Sequence, residues 1–391
     1  MLRKAALAFL IPATFALNDM GQAQTTPPAT LGAPVPAAPE RPESHLLEPF
    51  WSSATMRGEG LLFVQEKEGE RPVAKLLFEP LVGLSLCNAS GTTTYALGQD
   101  YVVDAKARTI SLPVGSKIPF VTTAALNPPP GSPNSMGGNI DGKNNLLWSE
   151  GHFFHDLQVE ASYRHAKNEW AGYVPAPASN LPATLGKLKR KEPLHIVLLG
   201  DSISEGYNAS SHVKVEPMMP PYGELVRSAL QESSGSPVTL KNLAVAGKDS
   251  EWGLTQIDAV IAAKPDLVIL AFGMNDSGRF EPATYIANIK KHIDGIKAQC
   301  PNAEFILVAS SLPNASWAAV RMDRFPLYRD ELKSLTGPGI TLADLTQTWT
   351  DVIARKKYLD LTGNGLNHPN DFGHRLYTQV ILGLLATKQN N

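Results

Sequence analysis

The second half of the chain alternates short apolar runs with longer stretches of helical periodicity. The apolar runs are His195–Gly200, Val238–Ala244, Asp266–Gly273, Glu304–Ser310 and Ile340–Leu345. The predicted helices are Tyr222–Gln231, Trp252–Ala263, Pro282–Ala298, Pro326–Leu335, Thr346–Lys357 and Asp371–Ala386. Apolar strands that alternate with helices predict a parallel sheet covered on both faces. Sites in such sheets form at the carboxyl ends of the strands, so the residues that follow each strand are the candidates for function.

The stretch from Leu46 to Tyr173 has the pattern of short strands separated by turns. "LLFVQEKEGERPVAKLLFEP" predicts a hairpin, and "LQVEASYRH" alternates apolar and polar residues. This pattern predicts an accessory β-domain of the sandwich or jelly-roll type. "NPPPGSPNSMGGNIDGKNN" is expected to be a long, flexible insertion within that domain.

The first residues have the features of a secretory signal peptide. Arg3 and Lys4 precede an apolar run from Ala5 to Leu17, and the small residues of "GQA" offer a cleavage site. The apolar run is too short to span a bilayer stably, and no later segment is long enough. We therefore predict removal of residues 1–23 and a periplasmic or secreted protein without a membrane span.

Two segments rich in proline, alanine or lysine are predicted to be linkers. Residues 24–45 have nothing to bury and resemble a polyproline-like tether. A second linker is expected at 174–194. The predicted organisation is therefore an accessory domain at 46–173 and a catalytic domain at 195–391.

Composition narrows the class of protein. The 391 residues carry a formal net charge of -2, which argues against a nucleic-acid partner. Cys87 and Cys300 are too few for a disulfide framework or a thiolate metal site, and they fall in different predicted domains.

Four residues follow strands or precede the last helix at places where a site is expected. Ser202 follows the first strand, Gly247 the second and Asn275 the third, and His368 lies before the last helix. These residues meet the needs of acyl transfer. A serine becomes a nucleophile when an imidazole takes its proton, and backbone N–H groups and an asparagine amide can stabilise the oxyanion.

The same residues carry a resemblance to a known family. "GDSIS", the Gly247 loop "NLAVAGKDSEWG", "GMND" and "NHPNDFGH" resemble the four signature blocks of the SGNH, or GDSL, hydrolases. The resemblance implies a flavodoxin-like three-layer α/β/α fold with sheet order 2-1-3-4-5. It also implies Ser202 as the nucleophile, His368 as the base, and Ser202, Gly247 and Asn275 as the oxyanion hole.

One position departs from the family pattern. Many members have an aspartate three residues before the histidine, where this chain has Gly365. A backbone carbonyl of the "GNGLN" turn is the simplest group to orient His368, an arrangement that resembles some carbohydrate esterases with a Ser–His dyad. Asp371 and Asp276 are alternatives, although Asp371 fits a helix N-cap better. Gly365 is expected to adopt a positive φ.

Several other residues have a functional and a structural interpretation. His152 and His155 have metal-ligand spacing but no evident third ligand, so we predict packing and no metal. His374 is expected to pack inside the last helix. Trp252 and Trp317 could stack on sugar rings, but core packing is the commoner role of aromatic residues.

The features together predict an exported serine esterase without a cofactor. Its expected substrates are O-acetyl or other short O-acyl groups on a polysaccharide such as xylan, since the arrangement resembles bacterial acetylxylan-type esterases. This step rests on analogy, because a fold does not fix a function. The alternatives are a lipid or arylester hydrolase of the same superfamily and a polysaccharide-binding protein with weak catalysis.

Overall fold

The computed structural model describes residues 46–386. The predicted signal peptide (1–23) and first linker (24–45) lie outside the described residues. Among the helices between residues 46 and 386, none is both long enough and apolar enough to cross a membrane.

The N-terminal region is β-rich, as predicted. Its strands are β1 (Thr55–Leu61), β2 (Phe63–Gln65), β3 (Val73–Lys75), β4 (Val82–Asn88), β5 (Thr94–Tyr95), β6 (Val102–Asp104), β7 (Thr109–Ser111), β8 (Phe120–Thr122), β9 (Ser135–Met136), β10 (Leu146–Leu147) and β11 (Val159–Arg164). The helices are α1 (Thr123–Leu126) and α2 (Phe153–Leu157). One sheet is antiparallel in the order β1-β11-β4-β5; a second has the order β6-β7-β3-β2-β8, with only β2 and β8 parallel.

The C-terminal region contains the predicted parallel sheet. Its strands are β12 (Leu194–Gly200), β13 (Val238–Asn242), β14 (Leu267–Ala271), β15 (Glu304–Ala309) and β16 (Ile340–Asp344). The helices are α3 (Pro182–Arg190), α4 (Ser202–Glu205), α5 (Ser210–Val213), α6 (Tyr222–Ser234), α7 (Ser250–Gly253), α8 (Ile257–Ala262), α9 (Pro282–Gln299), α10 (Arg324–Ser334), α11 (Leu345–Ile353) and α12 (Asp371–Leu385). The sheet order β13-β12-β14-β15-β16 is the expected 2-1-3-4-5, which confirms the α/β/α prediction.

Side chains of the central strand alternate between two cores. Ile196 and Leu198 join the core that includes α6, α11 and α12, whereas Val197 and Leu199 join the core that includes α8, α9 and α10. Successive residues of a strand point to opposite faces, so a strand buried on both sides needs apolar residues at every position. This requirement explains the uninterrupted apolar runs of the sequence.

The β-rich region packs directly on the C-terminal region. The core on the α12 face continues into Phe63, Phe78 and Leu86 of the β-rich region. Where the chain passes from β1 to β2, the Leu62 N–H donates to Asp360 Oδ1 at 2.7 Å. A buried ammonium, Lys356 Nζ, pairs with Glu59 of β1. The two regions therefore share one apolar core and buried polar contacts.

Two segments predicted to be loosely structured make ordered contacts instead. Residues 174–194, predicted as a linker, contain α3, and Leu188 of this helix and its N-cap residue Leu181 are buried. The predicted flexible insertion forms the β9–β10 hairpin, and its Ile140 N–H donates to the Ser316 carbonyl at 2.9 Å. The prediction of a flexible insertion was wrong, because proline and glycine content does not reveal long-range partners such as Ser316. The assignment of residues 174–194 to the boundary between the domains stays a prediction.

The predicted helix Trp252–Ala263 is divided into α7, a 3₁₀ turn (Leu254–Gln256) and α8. The Thr255 hydroxyl donates to the Trp252 carbonyl at 2.7 Å, and such side-chain bonds compete with the regular helical ladder.

Candidate active site

Ser202 lies at the carboxyl end of the central strand. β12 ends at Gly200, and Ser202 is the first residue of α4, with Asp201 as its N-cap. The Asp201 carboxylate accepts from the Ile203 N–H at 3.0 Å. Burial raises the pKa of the Asp201 carboxyl to about 7. The cap fixes the strand-to-helix turn and presents the Ser202 hydroxyl at its tip.

His368 is held by a turn that precedes α12. The Asn364 side-chain oxygen accepts from the N–H groups of Leu366, Asn367 and His368 at 3.0, 3.0 and 3.1 Å. The Gly363 N–H donates to the His368 carbonyl at 2.8 Å. His368 Nε2 lies 2.8 Å from Ser202 Oγ, so the structure brings the two predicted residues into hydrogen-bonding contact across 166 positions of sequence.

The other ring nitrogen of His368 contacts Asn208. His368 Nδ1 lies 2.9 Å from Asn208 Oδ1. The Asn208 amide nitrogen donates to the carbonyls of Gly151 and Gly363 at 3.1 and 3.0 Å, so its oxygen must face the imidazole. Asn364 Nδ2 also lies 3.0 Å from Nδ1, but its two hydrogens have acceptors in Glu150 Oε1 and Asn367 Oδ1. We therefore assign the ring hydrogen to Nδ1, so that unprotonated Nε2 accepts from the Ser202 hydroxyl. This is the tautomer that a general base requires.

A carboxylate from the β-rich region also lies beside this ring. Glu150 Oε1 is 3.3 Å from His368 Nδ1, and it accepts from Asn364 Nδ2 at 3.1 Å. Partial burial by itself would raise the pKa of Glu150. The hydrogen bond and positive charge from His368, with the Asn364 bond, outweigh it and lower the pKa below the usual value.

The expected backbone carbonyl does not orient His368, and this prediction is corrected. Carbonyls of the "GNGLN" turn already accept from other donors. The Gly363 carbonyl accepts from Asn208, that of Asn364 from the Ser149 N–H at 3.3 Å, and that of Gly365 from Asn314 Nδ2 at 2.9 Å. Side chains of Asn208 and Glu150 take the place beside Nδ1 instead.

The two alternative aspartates serve other elements. Asp371 Oδ1 accepts from the Ser210 N–H at 2.8 Å, and the N-cap of α12 is Asn370 rather than Asp371. Asp276 accepts from the N–H groups of Ser250 and Gly273, each at 3.0 Å. Burial raises the pKa of Asp371 and of Asp276 to about 6. Asp371 thus links α12 to the start of α5, and Asp276 links the loop after β14 to the start of α7.

Gly247 and Asn275 lie in the loops after β13 and β14. Gly247 is exposed and has φ +73°, and a Cβ built on it would meet no atom within 4 Å. Asn275 Nδ2 donates one hydrogen to the Lys248 carbonyl at 2.8 Å, which leaves its second hydrogen available. The bond ties the two loops together. Their roles as oxyanion donors stay predictions.

The remaining candidates do not converge. His152 Nδ1 contacts Asp156 at 2.6 Å, whereas His155 Nε2 contacts Ser90 Oγ at 3.2 Å. Within the described residues, His, Cys, Asp and Glu form no group of three or more that could hold a metal ion. Cys87 and Cys300, both described, form no disulfide bond.

His374 is buried in α12, as predicted. Its Nε2 donates to the Tyr207 carbonyl at 3.1 Å, and its Nδ1 accepts from the Tyr222 N–H at 3.4 Å. Burial lowers the pKa of His374 to about 4, so this ring stays neutral.

Sequence reasoning missed Asn208, Asn364 and Glu150. Asn208 follows Ser202 by only six residues, and asparagine is one of the few non-glycine residues that favour a left-handed turn, as observed here at φ +61°. Asn364 adjoins Gly365, in the turn where an orienting group was sought. For Glu150 the sequence offers no signal, because the residue belongs to a different region.

Several known proteins are similar to this chain. A GDSL-like esterase of Mycobacterium tuberculosis is 31% identical over 85 residues, which are 21% of this chain and 25% of that protein. The aligned segment thus spans about a quarter of the relative's length. A two-domain esterase active on acetylated mannans, co-crystallized with mannopentaose, is 20% identical with a TM-score of 0.44 and covers 55% of each chain. The lipase/acylhydrolase from Enterococcus faecalis is 22% identical with a TM-score of 0.39, over 48% of this chain and 93% of its own.

The C-terminal region also matches a family model. Residues 198–376 match the GDSL-like lipase/acylhydrolase family, from within β12 to within α12. The matched range includes Ser202, Gly247, Asn275 and His368. This part of the chain is therefore similar to the GDSL-like lipase/acylhydrolase family.

Proposed function

We propose that this protein is a serine esterase that hydrolyses carboxylic esters through Ser202 and His368. The observation that carries the proposal is the 2.8 Å contact between Ser202 Oγ and His368 Nε2. Asn208 holds the ring with a hydrogen on Nδ1, so Nε2 can take the serine proton as Oγ attacks the carbonyl carbon. Both side chains are mostly buried, which limits competition from water.

The oxyanion of the tetrahedral intermediate needs donors at the same edge of the sheet. The Ser202 N–H, the Gly247 N–H and the free hydrogen of Asn275 Nδ2 are the proposed donors. His368 then gives its proton to the leaving alcohol, and an acyl group remains on Ser202. Water, deprotonated by the same imidazole, releases the acid and restores the serine. No metal or organic cofactor takes part in these steps.

We propose short O-acyl groups, chiefly O-acetyl groups on a polysaccharide such as xylan, as the substrates. The Glu150 side chain is 39% exposed beside His368, and such a polar group suits a hydroxyl-rich alcohol better than a lipid. A short acyl group also needs little apolar surface. The predicted signal peptide, which lies outside the described residues, supports action on polymers in the periplasm or outside the cell.

Replacement of the nucleophile tests the reaction. Ser202→Ala should lower kcat/KM for p-nitrophenyl acetate by about 10⁴-fold or more, because the attacking atom is removed. Ser228→Ala, the same change on α6, is the matched control and should keep full activity. A serine-directed organophosphonate should label the wild-type protein once and Ser202→Ala not at all. Retention of a tenth of the activity by Ser202→Ala would exclude Ser202 as the nucleophile.

Two substrate series test the proposal that the substrates are short O-acyl groups on a polysaccharide. Activity should fall as the acyl chain of p-nitrophenyl esters grows from acetate to octanoate. Acetate should also be released from at least one acetylated polysaccharide. A preference for octanoate would favour a lipid or arylester hydrolase instead, and binding of the polymer without release would favour the binding protein.

A further inference from the structure

A short segment of the β-rich region reaches the imidazole of the proposed base. We call residues 149–151 the Glu150 segment; it follows β10 and precedes α2. The Ser149 N–H donates to the Asn364 carbonyl at 3.3 Å, and the Gly151 carbonyl accepts from Asn208 at 3.1 Å. Between them, Glu150 Oε1 accepts from Asn364 Nδ2 at 3.1 Å. Each residue of the segment thus has a hydrogen bond to the loops that hold His368.

We propose that Glu150 is a positioning residue for His368, which the β-rich region supplies to the C-terminal active site. Its carboxylate stabilises the imidazolium that forms while Ser202 attacks. This inference rests on the proposed esterase function and goes beyond it, because it makes the β-rich region a part of the reaction centre. The carrying observation is the 3.3 Å distance from Glu150 Oε1 to His368 Nδ1.

The surroundings of Gly365 explain why the carboxylate comes from elsewhere. A Cβ on Gly365 would collide with the Leu147 carbonyl oxygen and would lie 2.6 Å from the Phe154 ring. These two residues flank the Glu150 segment on either side. The β-rich region therefore fills the space that an aspartate at position 365 would need, and it brings a different carboxylate to the same ring.

Asn208 and Glu150 divide two tasks that one aspartate performs in a triad. The Asn208 amide fixes the tautomer and orientation of the ring, but an amide has no charge to stabilise an imidazolium. Glu150 has that charge, and its side chain is 39% exposed, so solvent weakens the attraction without removing it. The other titratable groups that face this pair are His212 on α5, His374 on α12 and the nearby Tyr207.

Replacement of the charge gives the first test. Glu150→Gln keeps an oxygen acceptor but removes the carboxylate, so kcat should fall by about tenfold while KM changes less than twofold. The acid limb of the kcat/KM profile should move to lower pH by roughly half a unit to one unit, since the protonated imidazole loses its counter-charge. Glu150→Asp should retain more activity than Glu150→Gln.

A second carboxylate of the same region provides the control. Asp156 pairs with His152 at 2.6 Å, and Asp156→Asn removes one negative charge from α2 without a contact to His368. Asp156→Asn should leave kcat and the acid limb unchanged. The proposal is overturned if Glu150→Gln behaves like Asp156→Asn, or if its effect is confined to KM, which would make Glu150 a substrate-binding residue.

A stability measurement tests the contact without reference to activity. Thermal unfolding of Glu150→Gln, His368→Gln and the double variant forms a double-mutant cycle. Glu150→Gln should lower the free energy of unfolding by less when residue 368 is already glutamine than when it is histidine. Additive losses would mean that the two side chains do not interact, and would overturn the proposal even in an active enzyme. Coupling in a protein without esterase activity would instead refute only the proposed function.

Discussion

Asn208 shows how a neutral side chain can control the state of a histidine. Its amide nitrogen is committed to two carbonyls, so its oxygen can only accept from His368 Nδ1. The buried amide has no freedom to flip, because a flip would face oxygen to oxygen at both carbonyls. A left-handed backbone at φ +61° places the side chain there. Asparagine tolerates this conformation better than most residues.

We expect loss of this amide to reduce turnover more than loss of the Glu150 charge. Asn208→Gly keeps the left-handed backbone and removes the group that fixes the tautomer, so kcat should fall by about 10²-fold or more. Asn168→Gly, at an exposed position with φ +62°, is the matched control and should leave kcat unchanged. Esterase kinetics, with circular dichroism to verify folding, measure both. A loss of less than fivefold for Asn208→Gly would show that another group holds the ring.

At the scale of the elements, the β-rich region shapes the loop that connects the 3₁₀ turn Tyr358–Asp360 to α12. Gly365 has φ +88° and lies against β10 and α2. The positive φ expected from the sequence is thus observed. A side chain there would meet backbone and a buried ring, neither of which can move cheaply.

We expect Gly365→Ala to destabilise the protein and to lower kcat together. A left-handed alanine alone costs about 1 kcal/mol, and the collision with the Leu147 carbonyl should bring the loss in unfolding free energy to about 2–4 kcal/mol. Gly91→Ala separates the two effects, since Gly91 has φ +71° and a Cβ added there would meet no atom within 4 Å. Urea unfolding should show only the smaller loss in Gly91→Ala. Equal losses would mean that the clash at Gly365 is relieved by local movement.

At the scale of the whole molecule, the β-rich region and the C-terminal region meet in a buried interface. Lys356 lies after α11, and its ammonium is fully buried between Glu59 of β1 and Asp360. It also donates to the Lys75 carbonyl at 2.8 Å. Burial raises the pKa of Asp360, against the opposing effect of Lys356. A single ammonium thus compensates two buried carboxyls from the two regions.

We expect Lys356→Met to cost about 3–5 kcal/mol of unfolding free energy at neutral pH, since it leaves two buried carboxylates without a cation. Lys290→Met, which breaks the exposed pair with Asp294, should cost less than about 1 kcal/mol. The deficit of Lys356→Met should shrink as the pH falls, because burial raises the pKa of Asp360 and its protonation removes an uncompensated charge. Urea unfolding at several pH values measures this. A deficit that does not change with pH would mean that the loss comes from packing alone.

Local patterns in the amino-acid sequence were enough to predict the elements of the parallel sheet and, with the family resemblance, their order. Apolar runs and helical periodicity are local properties, so β12 to β16 lie within a few residues of their predicted bounds. The position of Ser202 was predictable because it follows the first strand of a parallel sheet, where sites form. The meeting of Ser202 with His368 was predicted from the resemblance of "NHPNDFGH", before the last helix, to the family pattern. The two side chains lie 2.8 Å apart.

The groups that face the second nitrogen of His368 depend instead on how the two regions dock. Glu150 is 218 positions away from His368 and belongs to the β-rich region. The sequence pattern of that region predicts its strands, but not where its sheets contact the C-terminal region. Docking depends on the shared apolar core and on buried partners such as Glu59 and Lys356, which no local pattern reveals. For the same reason, a glycine at position 365 signalled a missing aspartate in the sequence, whereas in three dimensions it makes room for the region that brings Glu150.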